Sequence, residues 1–280
     1  MGSSLQAVSE SWRLDTELLL ADALHESREH LHAWPEREVS AAQMASFQVS
    51  LQRREQGEPV AYILGRKAFW DFELSVNSSV LIPRPETELL VEKALDILTT
   101  AKAQQQDHSV RIADLGTGSG AIAIALARAD ESWSLTAVDV SEAALSVARG
   151  NALTLGANNI EFLQASWCES LDAEAYQLIV ANPPYVAAGD AHLQRGDLVF
   201  EPSIALEASE EGLSDIRQIV IQSRACLMRD GWLLFEHGYD QAVEVEKILR
   251  DAGFSNIGCQ QDYAGLDRLS FAQSTKSYSL

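Results

Sequence analysis

Beyond residue 110 the chain alternates short apolar runs with amphipathic stretches, and this alternation constrains the fold more than any other feature. Residues 110–113, 135–138, 160–163, 178–181 and 232–235 are largely apolar runs of strand length. Residues 121–127, 142–151, 214–228 and 241–251 have helical spacing, with Ser141 placed to cap one start and Gly253 to end another helix. Such alternation predicts an α/β protein with a mostly parallel, doubly wound sheet. Two last strands, at 256–261 and 268–272, have no room for a helix between them and should pair antiparallel, which brings the sheet to seven strands.

The chain before this region reads differently. Residues 1–60 are expected to form a small helical domain. One apolar stripe runs through Leu14, Leu18, Leu19 and Leu24, with Asp15 as the expected cap of its start. A second runs from Ser40 through Met44, Phe47 and Leu51, with Ser40 as N-cap. Residues 61–88 read as a hairpin linker. Tyr62-Ile63-Leu64-Gly65, Phe69-Trp70-Asp71-Phe72 and residues 74–82 are rich in aromatic and β-branched types, which suggests a hairpin. Pro83 and Pro85 keep the following stretch extended. Residues 89–280 form the expected catalytic domain, opening on a helix at 88–98.

Charge bears on partners. A formal net charge of −20 repels phosphate backbones, so no direct nucleic-acid partner is expected, whereas a basic protein would be attracted. No apolar run approaches the ~18 residues of a membrane span. The start lacks a basic-then-apolar leader, and Gln6 stands where a myristoylation signal opening on Met1-Gly2 needs Ser or Thr. The expectation is a soluble cytoplasmic protein that does not engage a membrane. Cys168, Cys226 and Cys259 are odd in number and widely spaced, which suggests buried thiols. His30 and His32 form a lone H-x-H, and His25, His108, His192 and His237 are scattered, so no metal is expected. The acidic stretch 207–211 reads as a solvated loop.

Two motifs carry chemistry. Asp114-Leu115-Gly116-Thr117-Gly118-Ser119-Gly120 follows a strand and opens a helix. Its glycines allow a tight turn and let a ligand approach backbone N–H groups. No Lys follows, so it is not a Walker loop, and its G-x-G-x-G spacing is tighter than the dinucleotide fingerprint. It suits a nucleoside cofactor with no pyrophosphate. Asp139, ending the next strand, is placed to accept hydrogen bonds from ribose hydroxyls. Trp167, after the third core strand, offers a flat ring to adenine.

Asn182-Pro183-Pro184-Tyr185 ends the fourth core strand, where ligands of open parallel sheets sit. An amide or aryl NH₂ is a poor nucleophile because its lone pair is delocalised. The Asn182 side-chain oxygen and the Pro183 carbonyl can accept its two hydrogens and aim the lone pair at a sulfonium methyl. The prolines stiffen the turn, and Tyr185 can pack over the planar group. The chemistry expected is methyl transfer from S-adenosylmethionine to a planar nitrogen. On the residues alone, a protein amide, a nucleic-acid amino group and a non-catalytic binding module all stay open.

The chain resembles the bacterial release-factor glutamine methyltransferases, the HemK/PrmC family, along nearly its whole length. The likeness lies in "DTELLLADAL", "GEPVAYILG", "LIPRPETELLVE", "DLGTGSGAIAIALA", "VDVSEAAL", "NPPYV", "FEPSIALEASEEGL" and "FEHGYDQ". It implies a Rossmann-like class I methyltransferase sheet with a small N-terminal helical domain that docks the protein substrate. It implies methylation of N5 of the glutamine in the Gly-Gly-Gln motif of class-1 peptide chain release factors; a ribosomal-protein glutamine is the alternative. Carried over by position, Gly116, Thr117, Gly118, Ser119 and Gly120 would line the cofactor, Asp139 hold its ribose and Trp167 meet its adenine. Asn182 would face cofactor and glutamine, with Pro183, Pro184 and Tyr185 completing the substrate pocket and Arg84 and Glu88 shaping it from the linker. One departure stands out: Ser166 occupies the place of an acidic residue usual in the family, which removes a strong acceptor for the adenine amino group.

Overall fold

The computed structural model describes residues 5–6, 8–104, 110–194 and 196–275. Met1-Gly2 and His108, weighed above, lie outside them. Helices α1 (Trp12–Leu24), α2 (Arg28–Ala33), α3 (Ala41–Glu55) and α4 (Val60–Leu64) come first. A hairpin of β1 (Arg66–Phe69) and β2 (Phe72–Ser75) follows, then α5 (Glu88–Gln104). Next come β3 (Arg111–Leu115), α6 (Ala121–Ala129), β4 (Ser134–Asp139), α7 (Glu142–Leu155), β5 (Ile160–Gln164) and β6 (Tyr176–Ala181). A small bridge of β7 (Val186–Ala187) and β8 (Glu207–Ala208) leads to the short turn α8 (Ser209–Gly212) and α9 (Ser214–Cys226). The chain closes with β9 (Leu227–Glu236), α10 (Ala242–Asp251), β10 (Phe254–Gln261) and β11 (Asp267–Ser274).

The main sheet has seven strands in the order β10-β11-β9-β6-β3-β4-β5. β9, β6, β3, β4 and β5 are parallel, and β11 is antiparallel to both neighbours. The chain runs outward through β4 and β5, then returns to place β6 on the other side of β3. That reversal is the switch point at which such sheets bind ligands. One core, with α5, α6 and α7, covers one face; a second, with α9 and α10, covers the other. α6 is buried continuously from Ala121 to Ala127. α10 buries only Val245, Ile248 and Leu249, the i, i+3, i+4 stripe of a surface helix, each contributing about 1.5–3 kcal/mol.

The N-terminal helices have their own small core of Leu19, Ala23 and Phe47. Ser40 caps α3 with a full capping box to Gln43. Three expectations fail before α5. Tyr62-Ile63-Leu64-Gly65 is not a strand but α4 and its left-handed end at Gly65, φ 71°. Pro59 presets the first turn, and Tyr62 buries its ring and donates its hydroxyl to the Val80 carbonyl at 2.6 Å. Asp15 caps nothing. α1 begins at Trp12, and the Asp15 carboxylate is buried three residues in, where it accepts from Ser11 and from Arg54 at 2.8 Å. Beyond β2, residues 76–82 are irregular rather than a strand. Cys168 and Cys226 are buried, whereas Cys259 is exposed. The acidic side chains Glu207, Glu210 and Glu211 face solvent. No helix among the described residues is long and apolar enough to cross a membrane.

Candidate active site

A cavity of about 380 Å³ opens above the carboxyl ends of β3, β4 and β6. Its walls include Gly116, Thr117, Gly118, Ser119, Asp139, Ser166, Trp167, Asn182 and Pro184. The two motifs, some sixty residues apart in sequence, therefore face one space, as the switch-point rule requires. Gly120, Pro183 and Tyr185 are not on the wall. Gly120 starts α6 at φ 85°, where a Cβ would crowd Ile124 and Ala148; its role is helix packing. Pro183 is buried, and the Tyr185 ring packs into the second core. Arg84 and Glu88 also miss the wall. Arg84 pairs with the buried Glu201, and Glu88 accepts the Trp70 N–H at 3.0 Å. From that segment Pro83 and Thr87 reach the cavity instead.

The glycine loop is held from beneath by Asp114. Its buried carboxylate accepts the Thr117 hydroxyl at 2.7 Å and the Ala123 N–H at 3.2 Å. Burial pushes its pKa up to about 7, opposed by those two donors and reinforced by the nearby Asp139 charge. Its second oxygen, Oδ1, has no hydrogen-bond partner among the described residues. Asp139 accepts the Gly118 N–H and the Ser141 N–H at 2.9 Å each, which leaves lone pairs on both oxygens for a diol. Trp167 lies over Gly116, where a Cβ would stand 3.3 Å from its ring, and with Asp215 it shares the cavity wall. Cavity size, exposed loop backbone, free carboxylate lone pairs and a flat ring together fit a nucleoside cofactor.

The turn at Asn182 is fixed by groups from four distant segments. Asn182 Nδ2 donates to Thr87 Oγ1 at 3.0 Å, and Thr87 Oγ1 donates to Glu236 Oε2 at 2.8 Å. The Tyr185 hydroxyl donates to Glu236 Oε1 at 2.9 Å. Burial pushes the Glu236 pKa up, against the two hydroxyls and Arg268; burial and the Glu236 charge push the Tyr185 pKa up as well. Gln241 Nε2 donates to the Tyr185 carbonyl at 3.1 Å. Gly212, at φ 85°, passes so close that a Cβ would collide with that same carbonyl. Sequence reading missed Thr87, Asp114 and Glu236 as site residues. The signal available for Glu236 was an ionisable residue directly ending an apolar strand.

An exposed backbone loop and a strand-end carboxylate at the switch point of this sheet define a class I S-adenosylmethionine-dependent methyltransferase. Two family models match, the PrmC N-terminal domain over residues 2–65 and the methyltransferase small domain over residues 91–207. The release factor glutamine methyltransferase of Vibrio cholerae is 47% identical over 96% of this chain and 92% of its own length. That of Pseudomonas aeruginosa is 46% identical over 95% and 94%. The chain belongs to the release factor glutamine methyltransferase family. Solved structures agree on the fold. The hMettl16 catalytic domain aligns with a TM-score of 0.57 at 16% identity, over 73% of this chain and 76% of that one. A Pyrococcus furiosus methyltransferase aligns at 0.53 and 14% identity, over 82% and 98%.

Proposed function

We propose that this chain methylates N5 of the glutamine in the Gly-Gly-Gln motif of class-1 peptide chain release factors. The observation that carries the reading is that Asn182, held at its NH₂ end by Thr87, shares one cavity with the glycine loop. Its Oδ1 is the end left for a substrate amide. S-adenosylmethionine, which the glycine loop, Asp139 and Trp167 would hold, would supply an electrophilic methyl group and keep the C–S bonding pair on its sulfur as a neutral thioether.

The chain's residues perform the positioning. Gly116, Thr117, Gly118 and Ser119 present the loop to the cofactor, and Gly120 starts the helix behind it. Asp139 holds the ribose hydroxyls and Trp167 flanks adenine. Asn182 Oδ1 and the Pro183 carbonyl accept the two amide hydrogens, which draws the nitrogen toward tetrahedral geometry and stabilises the charge that develops on it. Pro184 closes the wall and Tyr185 braces the turn from behind. No side chain is required as a base beforehand, because an N-alkylated amide nitrogen carrying positive charge is acidic enough to release its proton to water.

Residues 1–60 serve as the docking domain, 61–88 as the hairpin linker and 89–280 as the methyltransferase domain. One contact supports coupling between the first and last. Arg54 of α3, itself buried, donates to Asp15 and to Asp197 at 2.8 Å each. Asp197 lies just before Pro202 and Ile204, which line the cavity.

Purified chain, cofactor and a release factor should yield one added methyl on that glutamine by mass spectrometry. Asn182→Ala should lower kcat by roughly 10²-fold or more, the size of loss seen when one oxygen or donor acting in the transition state is removed. An unmodified glutamine with the wild-type chain would sink the reading.

A further inference from the structure

The Asn182 amide has two ends, and only its oxygen can accept a substrate N–H. An NH₂ group turned toward the substrate would oppose a second NH₂ and hold it off. Something must therefore decide which way the amide lies, since carbonyl and NH₂ are nearly equal in shape. Thr87 alone cannot decide. Its hydroxyl can accept from an Asn NH₂ or donate to an Asn oxygen with equal ease.

Glu236 removes that ambiguity. Its side chain is buried, with the residue 2% exposed, at the carboxyl end of β9. A carboxylate has no hydrogen to give, so the Thr87 hydroxyl hydrogen is committed to Oε2 at 2.8 Å. The Thr87 oxygen then has only lone pairs to offer Asn182, which meets them with Nδ2 at 3.0 Å. Tyr185 commits its own hydroxyl to Oε1, which fixes the carboxylate plane so that Oε2 stays aimed at Thr87. We propose that Glu236, acting through Thr87, is the positioning residue that sets the polarity of the Asn182 amide and so turns its oxygen toward the substrate. The inference rests on the proposed role of Asn182 and adds the two residues that orient it. A buried carboxylate is costly to hold, and Arg268 only partly offsets that cost. A well-packed apolar residue would hold β9 as well; it would not orient an amide.

Replacing the carboxylate by an amide should reverse the relay. In Glu236→Gln the new NH₂ can donate to Thr87, whose hydroxyl is then free to donate to Asn182 Oδ1, and the Asn182 amide flips. Thr87→Val removes the relay at nearly constant volume, and Thr87→Ser restores the hydroxyl. The test pairs turnover with a reading of amide orientation. Glu236→Gln and Thr87→Val should each lower kcat by at least about tenfold, while cofactor Kd stays within about twofold. Thr87→Ser should stay within about threefold of wild type. In wild type, the Asn182 side-chain NH₂ protons should show a nuclear Overhauser contact to the Thr87 methyl, and Glu236→Gln should abolish it. Wild-type turnover in both Thr87→Val and Glu236→Gln, or a contact that survives in Glu236→Gln, overturns the inference. Should Glu236→Gln fail to fold, Thr87→Val decides the turnover arm. If Asn182→Ala is inactive while Thr87→Val and Glu236→Gln are fully active, the relay is wrong and the proposed function stands. If the wild-type chain leaves the release factor unmethylated, the function falls, and the orientation measurement still decides the relay.

Discussion

The two walls of the cavity are each held by one buried acid, and they differ in how far that acid reaches along the chain. Asp114 lies one residue before the end of β3 and binds Thr117 and Ala123, three and nine residues away. Glu236 ends β9 and binds Tyr185 and Thr87, 51 and 149 residues away. The glycine loop of the cofactor wall is thus a local structure, made by one strand, one turn and the start of one helix, to which the ends of β4 and β5 add Asp139 and Trp167. The substrate wall exists only once the whole domain has folded. A local loop can be shaped by its own glycines, whereas a side chain that must point one way in an open cavity needs partners from other elements. The difference predicts that damage to the first wall shows in cofactor affinity and damage to the second in turnover.

The largest effect expected on the cofactor wall comes from Asp139→Ala. The variant loses a charged acceptor for two ribose hydroxyls, together with the ties to the Gly118 and Ser141 N–H groups. Each hydrogen bond to a charged group contributes about 1.5–3 kcal/mol, so loss of two should weaken cofactor binding roughly 100-fold or more. Calorimetry measures this directly, and kcat at saturating cofactor should change far less. Unchanged affinity with collapsed turnover would erase the distinction between the walls.

A smaller effect separates the local acid by its titration. Asp114 has its pKa raised to about 7 in the folded chain, against about 3.9 when unfolded. Between those values the folded state binds a proton that the unfolded state has lost. Stability from this group is therefore greatest at the acid end and declines as pH rises, by up to about 1.4 kcal/mol per pH unit, until the decline ends near the folded value. Asp114→Asn removes this slope and keeps an acceptor for Thr117. Urea unfolding of both proteins across that window should show the wild type losing ground steadily to the variant as pH rises. A stability difference that is flat with pH would mean that Asp114 is not held against its charge.

The same contrast explains what could be read from the residues alone. The alternation of strands and helices places Gly116, Asp139 and Asn182 at strand ends, and the switch-point rule brings those ends together, so both motifs were visible before folding. Glu236 was not, because nothing adjacent to it in sequence mentions Thr87 or Tyr185. Tyr62 was misread as part of a strand because its aromatic, β-branched neighbours favour one locally. Burial of its ring and its bond to Val80 outweigh that preference. Asp15 was misread as a cap for the same reason: its partner Arg54 lies 39 residues on. Polar residues committed to distant partners are the ones that local rules misplace.

Ser166 offers the smallest and most discriminating test. It lies on the cavity wall beside Trp167, with Asp215 on the same wall. An aspartate at this position would add a carboxylate next to the ring proposed to flank adenine, within reach of the exocyclic amino group. One further charge-assisted hydrogen bond contributes at most a few kcal/mol. Part of that is lost here, because the new carboxylate must share the wall with Asp215 and Glu207 in a chain of net charge −20. Ser166→Asp should therefore tighten cofactor binding by roughly fivefold, about 1 kcal/mol, and leave kcat at saturating cofactor unchanged. The gain should vanish for an analogue whose purine lacks the amino group. If that analogue gains equally, the new charge acts on the amino-acid end of the cofactor, and adenine does not lie against Trp167. If affinity falls for both, the local wall is already at its electrostatic limit, and the serine is an accommodation to an acidic surface rather than a lost contact.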